Sequence, residues 1–185
     1  YAGSQHRTMM TLPGMRDHCI RICSAGKSFS LTGWKIGYVT AAPTLLALVT
    51  KAHQFVTFTT PPALQIATAW GLGQDRTYFD DLARDLEVKR DILSKGLEDV
   101  GFQVVPSQGT YFVTTDISGF GYQGSDLDFC KEITEKAGVS AIPVSAFFKP
   151  RETGEAVPQN MVRFCFSKQP AVLEESIARL KHYFS

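Results

Sequence analysis

Residues 24–38 read SAGKSFSLTGWKIGY and carry more chemical information than any other stretch of the chain. Lys27 follows small residues, which let a ligand approach the backbone, and Lys35 stands at the head of a strand-like run. A lysine amine must lose its proton before it attacks a carbonyl, and burial or a cationic neighbour favours the neutral form. The segment therefore suits Schiff-base chemistry at Lys27. A solvated loop lysine beside a surface strand is the alternative.

The tripeptide GKS at residues 26–28 could also end a nucleotide-binding P-loop, G-x-x-x-x-G-K-[ST]. The first glycine of that motif would fall at position 21, which is Arg21. A P-loop also runs directly into a helix, whereas the turn at Thr32-Gly33 and the apolar residues 36–39 favour a strand. Both observations exclude nucleotide binding by this motif.

The same segment resembles the cofactor-lysine segment of class I/II aminotransferases, S-x-G-K-[ST]-[FY]-x-x-T-G-W-K-[VI]-G. These are fold-type-I enzymes that depend on pyridoxal 5′-phosphate (PLP). The resemblance is greatest to the kynurenine/glutamine/methionine aminotransferase and cysteine-conjugate β-lyase branch. It implies that Lys27 forms the Schiff base with PLP and acts as general base. It also implies that Ser24 and Lys35 hold the cofactor phosphate.

Arg163 is the second candidate functional residue, because it lies in the apolar run MVRFCF at residues 161–166. Burying an unpaired guanidinium costs several kcal/mol, so an anionic partner is expected. An internal salt bridge and a bound carboxylate are both consistent with this, since the planar fork of arginine fits two carboxylate oxygens. The family motif V-R-[FI]-[CA]-F implies that Arg163 clamps the substrate α-carboxylate.

Two further segments match the family less specifically. Phe58 lies in the helix-breaking stretch TFTTPP, where the resemblance implies an aromatic at the dimer interface that contributes to substrate binding in the partner's site. A buried loop aromatic is the alternative. Residues 142–148, IPVSAFF, match a segment near the family's substrate entrance, where a flexible lid and a packed turn are both consistent with the sequence.

Composition narrows the class of protein. The chain has 185 residues, is 44% hydrophobic and carries a formal net charge of +1. This balance predicts a globular core and gives no electrostatic reason to expect nucleic acid or an anionic membrane as partner. No apolar run reaches the roughly 20 residues that span a bilayer. The four cysteines form no C-x-x-C or zinc pattern, so we expect no metal site and a reducing, cytoplasmic location.

Periodicity and turn residues predict alternating strands and helices. Strands are expected over 19–23, 36–41, 102–105, 109–115, 139–143 and 161–166, and helices over 43–54, 62–70, 76–100, 125–138 and 170–183. Ser125 and Asp128 have capping-box spacing for the fourth of these helices. Residues 149–159 are expected to form a polar loop.

The fold class is therefore α/β, and the resemblance implies the C-terminal part of a PLP-dependent transferase fold. Residues 1–75 would be the C-terminal remnant of the large, PLP-binding domain with the cofactor lysine, and residues 76–185 the small C-terminal α/β domain. In the family, the segment D-E-x-Y and other cofactor contacts lie upstream of the position that corresponds to Tyr1. The full-length protein is expected to be a homodimer.

The function implied is PLP-dependent transamination between an L-amino acid and a 2-oxo acid, within amino acid metabolism. A PLP-dependent β-lyase is the enzymatic alternative, because both reactions use the same scaffold and these residues do not separate them. A non-catalytic fragment that lacks the upstream half of the cofactor site is the third possibility.

Overall fold

The segment of residues 24–38 connects two antiparallel strands in the computed structural model, which describes residues 1, 3–149 and 157–185. Strand β1 is Ile20–Ser24, helix α1 is Ala25–Ser28 and strand β2 is Gly37–Ala41. The two strands pair so that Ser24 lies opposite Gly37. Both strands lie within one residue of their predicted positions, which confirms the turn and strand predicted after Lys27.

Two helices that begin at prolines follow these strands. Helix α2 is Pro43–Val56 and helix α3 is Pro62–Leu72, and each has proline in its first turn. Proline is favoured there because its fixed φ suits a helix and its missing N–H has no partner in the first turn. Both predicted starts are confirmed, and each helix runs two residues beyond its predicted end.

Helix α4, Arg76–Val100, has the bounds that its apolar spacing predicts. Leu93 and Leu97 of the apolar stripe are buried, and exposed charged residues of the helix form ion pairs, such as Lys95 with Asp99. Spacings of three, four and seven residues place the stripe on one helical face. The chain reverses at Gly101, where the N–H of Phe102 donates to the carbonyl of Leu97 at 3.0 Å.

The remaining elements form an antiparallel sheet and two helices. These are β3 (Gln103–Val105), β4 (Phe112–Asp116), α5 (Asp126–Ala137), β5 (Ile142–Pro143), β6 (Met161–Cys165) and α6 (Pro170–Phe184). The strands are ordered β3-β4-β6-β5, and every pair is antiparallel. The chain is thus mixed α/β, as the sequence predicts.

The two faces of this sheet differ in burial, and this difference positions Arg163. Alternate residues of β4 and β6 are buried, including Val113, Val162 and Phe164. They join buried residues of α4, α5 and α6 in one hydrophobic cluster, so the helices cover this face. Arg163 and its cross-strand neighbour Thr114 lie on the opposite, partly open face.

Helix α5 confirms the predicted capping box and C-terminal glycine. The side chain of Ser125 accepts from the N–H of Asp128, and the carboxylate of Asp128 accepts from the N–H of Ser125. Gly138 ends the helix with a φ of +67°. A left-handed residue lets the last carbonyls be bonded, and glycine adopts this conformation without a steric cost.

Strands β3, β4 and β5 also begin later than predicted, and for β3 and β4 the reason is the local backbone. Phe102 is predicted to start a strand, but its N–H closes the end of α4, so β3 begins at Gln103. Residues 109–115 are predicted to be extended, but Thr110 has a φ of +62°, which is incompatible with a strand, and β4 begins at Phe112. The extended piece predicted over 139–143 pairs only at Ile142–Pro143.

The apolar stripe predicted for α2 is only partly buried. Leu45, Leu46 and Val49 are half-buried, whereas Leu48 and Phe55 are 64% and 87% exposed. No residue of α2 is buried. The prediction of a core-facing stripe is wrong for the second half of the helix, since no element within the described ranges covers it.

Contacts divide the chain into two compact units. One comprises Gln5–Asp80, and the other comprises Tyr1–Ser4 together with Asp81–Ser185. The assignment of residues 1–75 and 76–185 to a large-domain remnant and a small domain stays a proposal.

Most of the polar loop predicted over 149–159 lies outside the described residues. Across the described part of the chain, no helix combines the length and apolar character needed to cross a membrane.

Glu132 links three parts of the second unit. Its carboxylate accepts hydrogen bonds from Tyr122 at 3.1 Å and from Tyr183 at 2.6 Å, and it pairs with Lys136 at 2.7 Å. The bonds from Lys136, Tyr183 and Tyr122, in that order, lower the pKa of Glu132 to about 2. Charged Glu132 thus ties the loop before α5, helix α5 itself and the end of α6 together.

Replacing Glu132 should make stability depend less on pH. A depressed pKa means that the charged carboxylate stabilises the folded state above the unfolded pKa of about 4.3, and that this contribution disappears as the pH falls toward 2. In urea unfolding, Glu132→Gln should therefore be less stable than the parent chain at pH 7 and converge with it toward pH 2. Glu135→Gln, which changes an exposed glutamate of the same helix, is the control. A difference that stays constant with pH would contradict this assignment.

Candidate active site

The loop between β1 and β2 is closed by hydrogen bonds near both of its ends. The N–H of Ala25 donates to the carbonyl of Ile36 at 3.2 Å, which extends the strand pairing into the loop. The carbonyl of Gly26 accepts from the N–H of Leu31 at 3.0 Å and from the hydroxyl of Thr32 at 3.2 Å. These bonds fold residues 25–36 back on themselves and fix the backbone on both sides of Lys27.

Two glycines permit this closure, because the backbone leaves no room for a side chain at either position. A Cβ on Gly26 would lie 2.9 Å from the Cα of Thr32, and a Cβ on Gly37 would lie 2.5 Å from the carbonyl oxygen of Cys23. Contacts this short to backbone atoms cannot be relieved by a side-chain rotation. Steric contact with the backbone therefore explains why the sequence motif has glycine at both positions, independently of any ligand.

The structure places three of the predicted site residues on this loop. Ser24 ends β1 and is exposed, and its side chain does not cap α1. Lys27 lies within α1 and is exposed. Lys35 precedes β2, is exposed, and has a φ of +53°. The loop thus presents one hydroxyl and two ammonium groups to solvent, a donor set suited to an anionic ligand.

Aromatic residues that the sequence analysis did not single out support this loop. The ring of Phe29 stacks on Tyr78 with centroids 5.9 Å apart and meets the edge of Phe79 at 6.1 Å. The hydroxyl of Tyr78 donates to the carbonyl of Ser28 at 3.1 Å. The first turn of α4 therefore anchors the residues directly after Lys27. No short-range pattern could reveal this, since the partners are about fifty positions apart in the chain.

Tyr38 lies beside the end of β1, opposite Cys23 in the strand pairing. Burial, followed by the hydrogen bond with the neighbouring Cys23, raises the pKa of Tyr38. The phenol therefore stays protonated at neutral pH.

Over the described ranges, no group of three or more His, Cys, Asp or Glu side chains could hold a metal ion.

Phe58 lies in the connection between α2 and α3, within the same unit as the Lys27 loop. Its side chain is 75% exposed and its φ is +68°. The alternative of a buried loop aromatic is therefore wrong for this structure. An exposed bulky residue in a left-handed conformation is unusual and is a reason to look for a contact made outside the chain.

Arg163 belongs to the second unit, on the partly open face of the sheet. Its guanidinium carbon lies 3.9 Å from the ring centre of Phe112 and 4.5 Å from that of Phe147. Its buried Nε has no hydrogen-bond partner among the residues that the structure describes. Among residues 1, 3–149 and 157–185, no carboxylate forms an ion pair with Arg163, so the internal salt bridge considered from the sequence is not found there.

Phe112 and Phe147 are the residues that sequence analysis missed around Arg163. Phe112 reaches it because it lies two positions before Thr114, the cross-strand partner of Arg163. Phe147 reaches it from the 3-10 turn Val144–Phe147 that follows β5. Both rings interact favourably with a cation over their faces, and the weakly hydrated planar guanidinium is suited to this contact. The in-register strand pairing that creates this contact cannot be read from either segment alone.

Comparison with known proteins agrees with these local features. The family model for aminotransferase class I and II matches residues 4–180. The chain is 35% identical to kynurenine–oxoglutarate transaminase from Dictyostelium discoideum over 95% of its own length, and 32% identical to methionine aminotransferase from Escherichia coli, also over 95%. These matches cover 44% of each relative, so the chain spans about half the length of the relatives it matches.

Solved structures match the fold as well. The structure of N-succinyldiaminopimelate aminotransferase from Mycobacterium tuberculosis superposes with a TM-score of 0.90 and 35% identity, covering 100% of this chain and 47% of that one. The family match extends over nearly the whole chain and includes both the Lys27 loop and the Arg163 strand. The chain therefore belongs to the aminotransferase class I and II family.

Proposed function

We propose that this protein transfers the amino group of an L-amino acid to a 2-oxo acid, with PLP as cofactor. The observation that carries the proposal is the closed loop that presents Ser24, Lys27 and Lys35 in a chain of the aminotransferase family. When bound, PLP supplies an electron sink for chemistry at the substrate Cα, and the protein supplies position and proton transfer.

The donor set of the loop fits this cofactor. The hydroxyl of Ser24 and the ammonium of Lys35 would hold the phosphate, since both are exposed near the paired ends of β1 and β2. The absence of room for a Cβ at Gly26 keeps the loop backbone compact beside Lys27. Lys27 would attach the cofactor through its amine, and the neighbouring positive charge of Lys35 would help to stabilise a phosphate dianion.

Lys27 would then act as the general base. With its amine free, Nζ of Lys27 would accept the Cα proton of the substrate and later donate a proton back. The hydrogen bonds to the carbonyl of Gly26, and the one from Tyr78 to Ser28, fix the backbone on both sides of Lys27. A fixed backbone limits the positions that the amine must search.

Arg163 would bind the α-carboxylate of the amino acid. With Phe112 and Phe147 against the guanidinium, and no carboxylate partner within the described ranges, its N–H donors are suited to a planar bidentate ligand. Fixing the carboxylate would orient the Cα–H bond for removal. This role accounts for an arginine held between apolar strand residues.

The substrate side chain is left open in this proposal. The relatives are named for kynurenine, methionine and N-succinyldiaminopimelate, which all contain an α-amino acid group. We include in the proposal a homodimer in which Phe58 of one subunit contributes to substrate binding in the other, consistent with its exposure and strained backbone. A cytoplasmic location completes the proposal.

Lys27→Ala should abolish covalent capture of PLP. The protein is mixed with PLP, reduced with borohydride and digested, and the pyridoxyl adduct is located by mass spectrometry. The adduct should lie on Lys27 and be absent from the variant, and activity should fall by at least about 10²-fold with loss of the general base. Lys51→Ala, which changes an exposed lysine of the same unit, is the control. An adduct on another lysine would overturn the assignment.

The same experiment tests whether this chain holds enough of the cofactor site to capture PLP or lacks its upstream half. It is run on the 185-residue chain and on a version extended upstream. Capture by both versions would mean that the 185-residue chain is sufficient to bind the cofactor. Capture by the extended version alone would assign part of the cofactor site to upstream residues. The PLP proposal fails if neither version is labelled.

Lys35→Asn should weaken retention of PLP without disturbing the loop. Asparagine tolerates the left-handed backbone found at Lys35 but lacks its charge, so the variant isolates the electrostatic contribution. The dissociation constant for PLP should rise roughly tenfold or more, which corresponds to one lost charge-assisted bond of about 1.5–3 kcal/mol. Ser30→Asn, at a matching φ of +53°, is the control. Equal retention by both variants would count against a phosphate role for Lys35.

Arg163→Lys should raise the amino acid concentration needed for half-maximal rate in the first half-reaction. Lysine keeps the charge but loses the fork, and breaking a buried charge-assisted pair costs about 2–5 kcal/mol of binding. The rate is followed by the change in cofactor absorbance at varied amino acid concentration. Arg179→Lys, a surface arginine paired with Glu175, is the control. Unchanged affinity for amino acid in Arg163→Lys would remove Arg163 from the site.

A further inference from the structure

A buried carboxylate in the second unit has no role in the chemistry described so far. Asp126 is the first residue of α5 and is 0% exposed. Its Oδ2 accepts from the N–H of Ser145 at 2.8 Å, and its Oδ1 accepts from the hydroxyl of Ser145 at 2.6 Å. A buried carboxylate is costly unless it is well bonded, so this pair of bonds requires an explanation.

Capping of α5 does not explain these bonds. At this end of the helix, the reciprocal pair of Ser125 and Asp128 bonds the N–H groups of those two residues. The carboxylate of Asp126 is instead bonded to a residue nineteen positions along the chain. Its two bonds therefore act on the segment that contains Ser145.

Among the described residues, that segment has only a short stretch of strand pairing. Ser145 lies in the 3-10 turn Val144–Phe147, directly after β5, which is a two-residue edge strand. A strand this short makes few ladder bonds and does not determine where the following turn lies. Asp126 fixes the turn by bonding both the backbone and the side chain of one of its residues.

The turn ends at Phe147, whose ring centre lies 4.5 Å from the guanidinium carbon of Arg163. Ile142 at the start of the same segment pairs with Arg163 across the sheet. A displacement of the turn would thus remove one of the two rings against the guanidinium. The path from Asp126 to Arg163 runs through Ser145 and Phe147, without direct contact between the two charged residues in the described structure.

We propose that Asp126 is a positioning residue for substrate-carboxylate binding, because it holds the turn that sets Phe147 against Arg163. The inference rests on the proposed role of Arg163. On this proposal, residues 142–148 form a fixed segment beside the carboxylate site and not the flexible lid considered from the sequence. Ser145 is the second member of this arrangement, and its hydroxyl and its N–H contribute separately.

The test combines amino acid kinetics with hydrogen exchange. Asp126→Asn keeps the shape of the side chain but is neutral and has only one acceptor oxygen, so the two charge-assisted bonds from Ser145 cannot both persist. In the cofactor-loaded protein it should raise KM for the amino acid about tenfold, the effect expected from one lost charge-assisted bond. Cofactor retention should be unchanged. Ser145→Ala should have a smaller effect in the same direction, and Ser145→Thr, which keeps the hydroxyl, should restore the parent value.

Two controls separate positioning from simple loss of stability. Ser125→Ala removes the cap at the same end of α5 but leaves the bonds between Asp126 and Ser145 intact, and it should not change KM. In an Arg163→Lys background, Asp126→Asn should have no further effect on KM, because it acts through Arg163. Equal effects of Asp126→Asn in both backgrounds would overturn the proposal.

Failure of this inference can be distinguished from failure of the proposed function. If Arg163→Lys raises KM and Asp126→Asn does not, the inference is wrong and the role of Arg163 stands. If Arg163→Lys leaves KM unchanged, the carboxylate role and the inference both fail. Hydrogen exchange gives a readout without cofactor, since the amide of Ser145 should exchange faster in Asp126→Ala, which has no acceptor oxygen, than in Ser125→Ala. Equal exchange in these two variants would overturn the inference whatever the kinetics show.

Discussion

The close approach of backbone to backbone between residues 23 and 37 is the constraint on which the Lys27 loop depends. A carbonyl oxygen and a Cα atom occupy the positions that side chains would take at Gly37 and Gly26. Because the loop is closed this tightly, Ser24 and Lys35 are held near the two paired strand ends and Lys27 is held between them. The positions of the candidate site residues in this segment therefore depend on backbone packing that involves no ligand.

The sheet of the second unit uses its two faces for different purposes. The inward face is apolar except for the buried Thr115 and joins the helices in the core, while the other face carries Arg163 with aromatic neighbours. Strand alternation makes this separation possible within a five-residue strand, since successive side chains point to opposite faces. A guanidinium can then lie among apolar sequence neighbours without entering the core.

Local patterns predicted most of the elements correctly. The spacing of apolar residues predicted α4 at both ends, and Ser125, Asp128 and Gly138 predicted the ends of α5. Errors arose where one residue departs from regular backbone, as at Thr110, or where burial depends on a neighbour that the pattern does not specify, as for Phe55. Periodicity describes an element by itself and contains no information about what covers it.

The residues of the candidate site likewise fall into those that a local motif identifies and those that only long-range contacts bring together. Lys27, Lys35 and Ser24 are close in sequence, so a single motif could identify them together. Phe112, Phe147 and Asp126 meet Arg163 or its supporting turn only through strand register and a long-range bond to Ser145. Such contacts join positions that are 16 to 51 residues apart, beyond the reach of any local pattern.

The left-handed residues of the first unit also set a limit on its stability. Ser30, Lys35 and Phe58 all have positive φ without being glycine, and each such residue costs about 1–3 kcal/mol. A protein selected only for thermal resistance would replace them with glycine or asparagine. Lys35 and Phe58 lower the melting temperature, but their side chains are available for the proposed ligand contacts. A stabilising substitution is therefore best made at Ser30, where it would not remove such a contact.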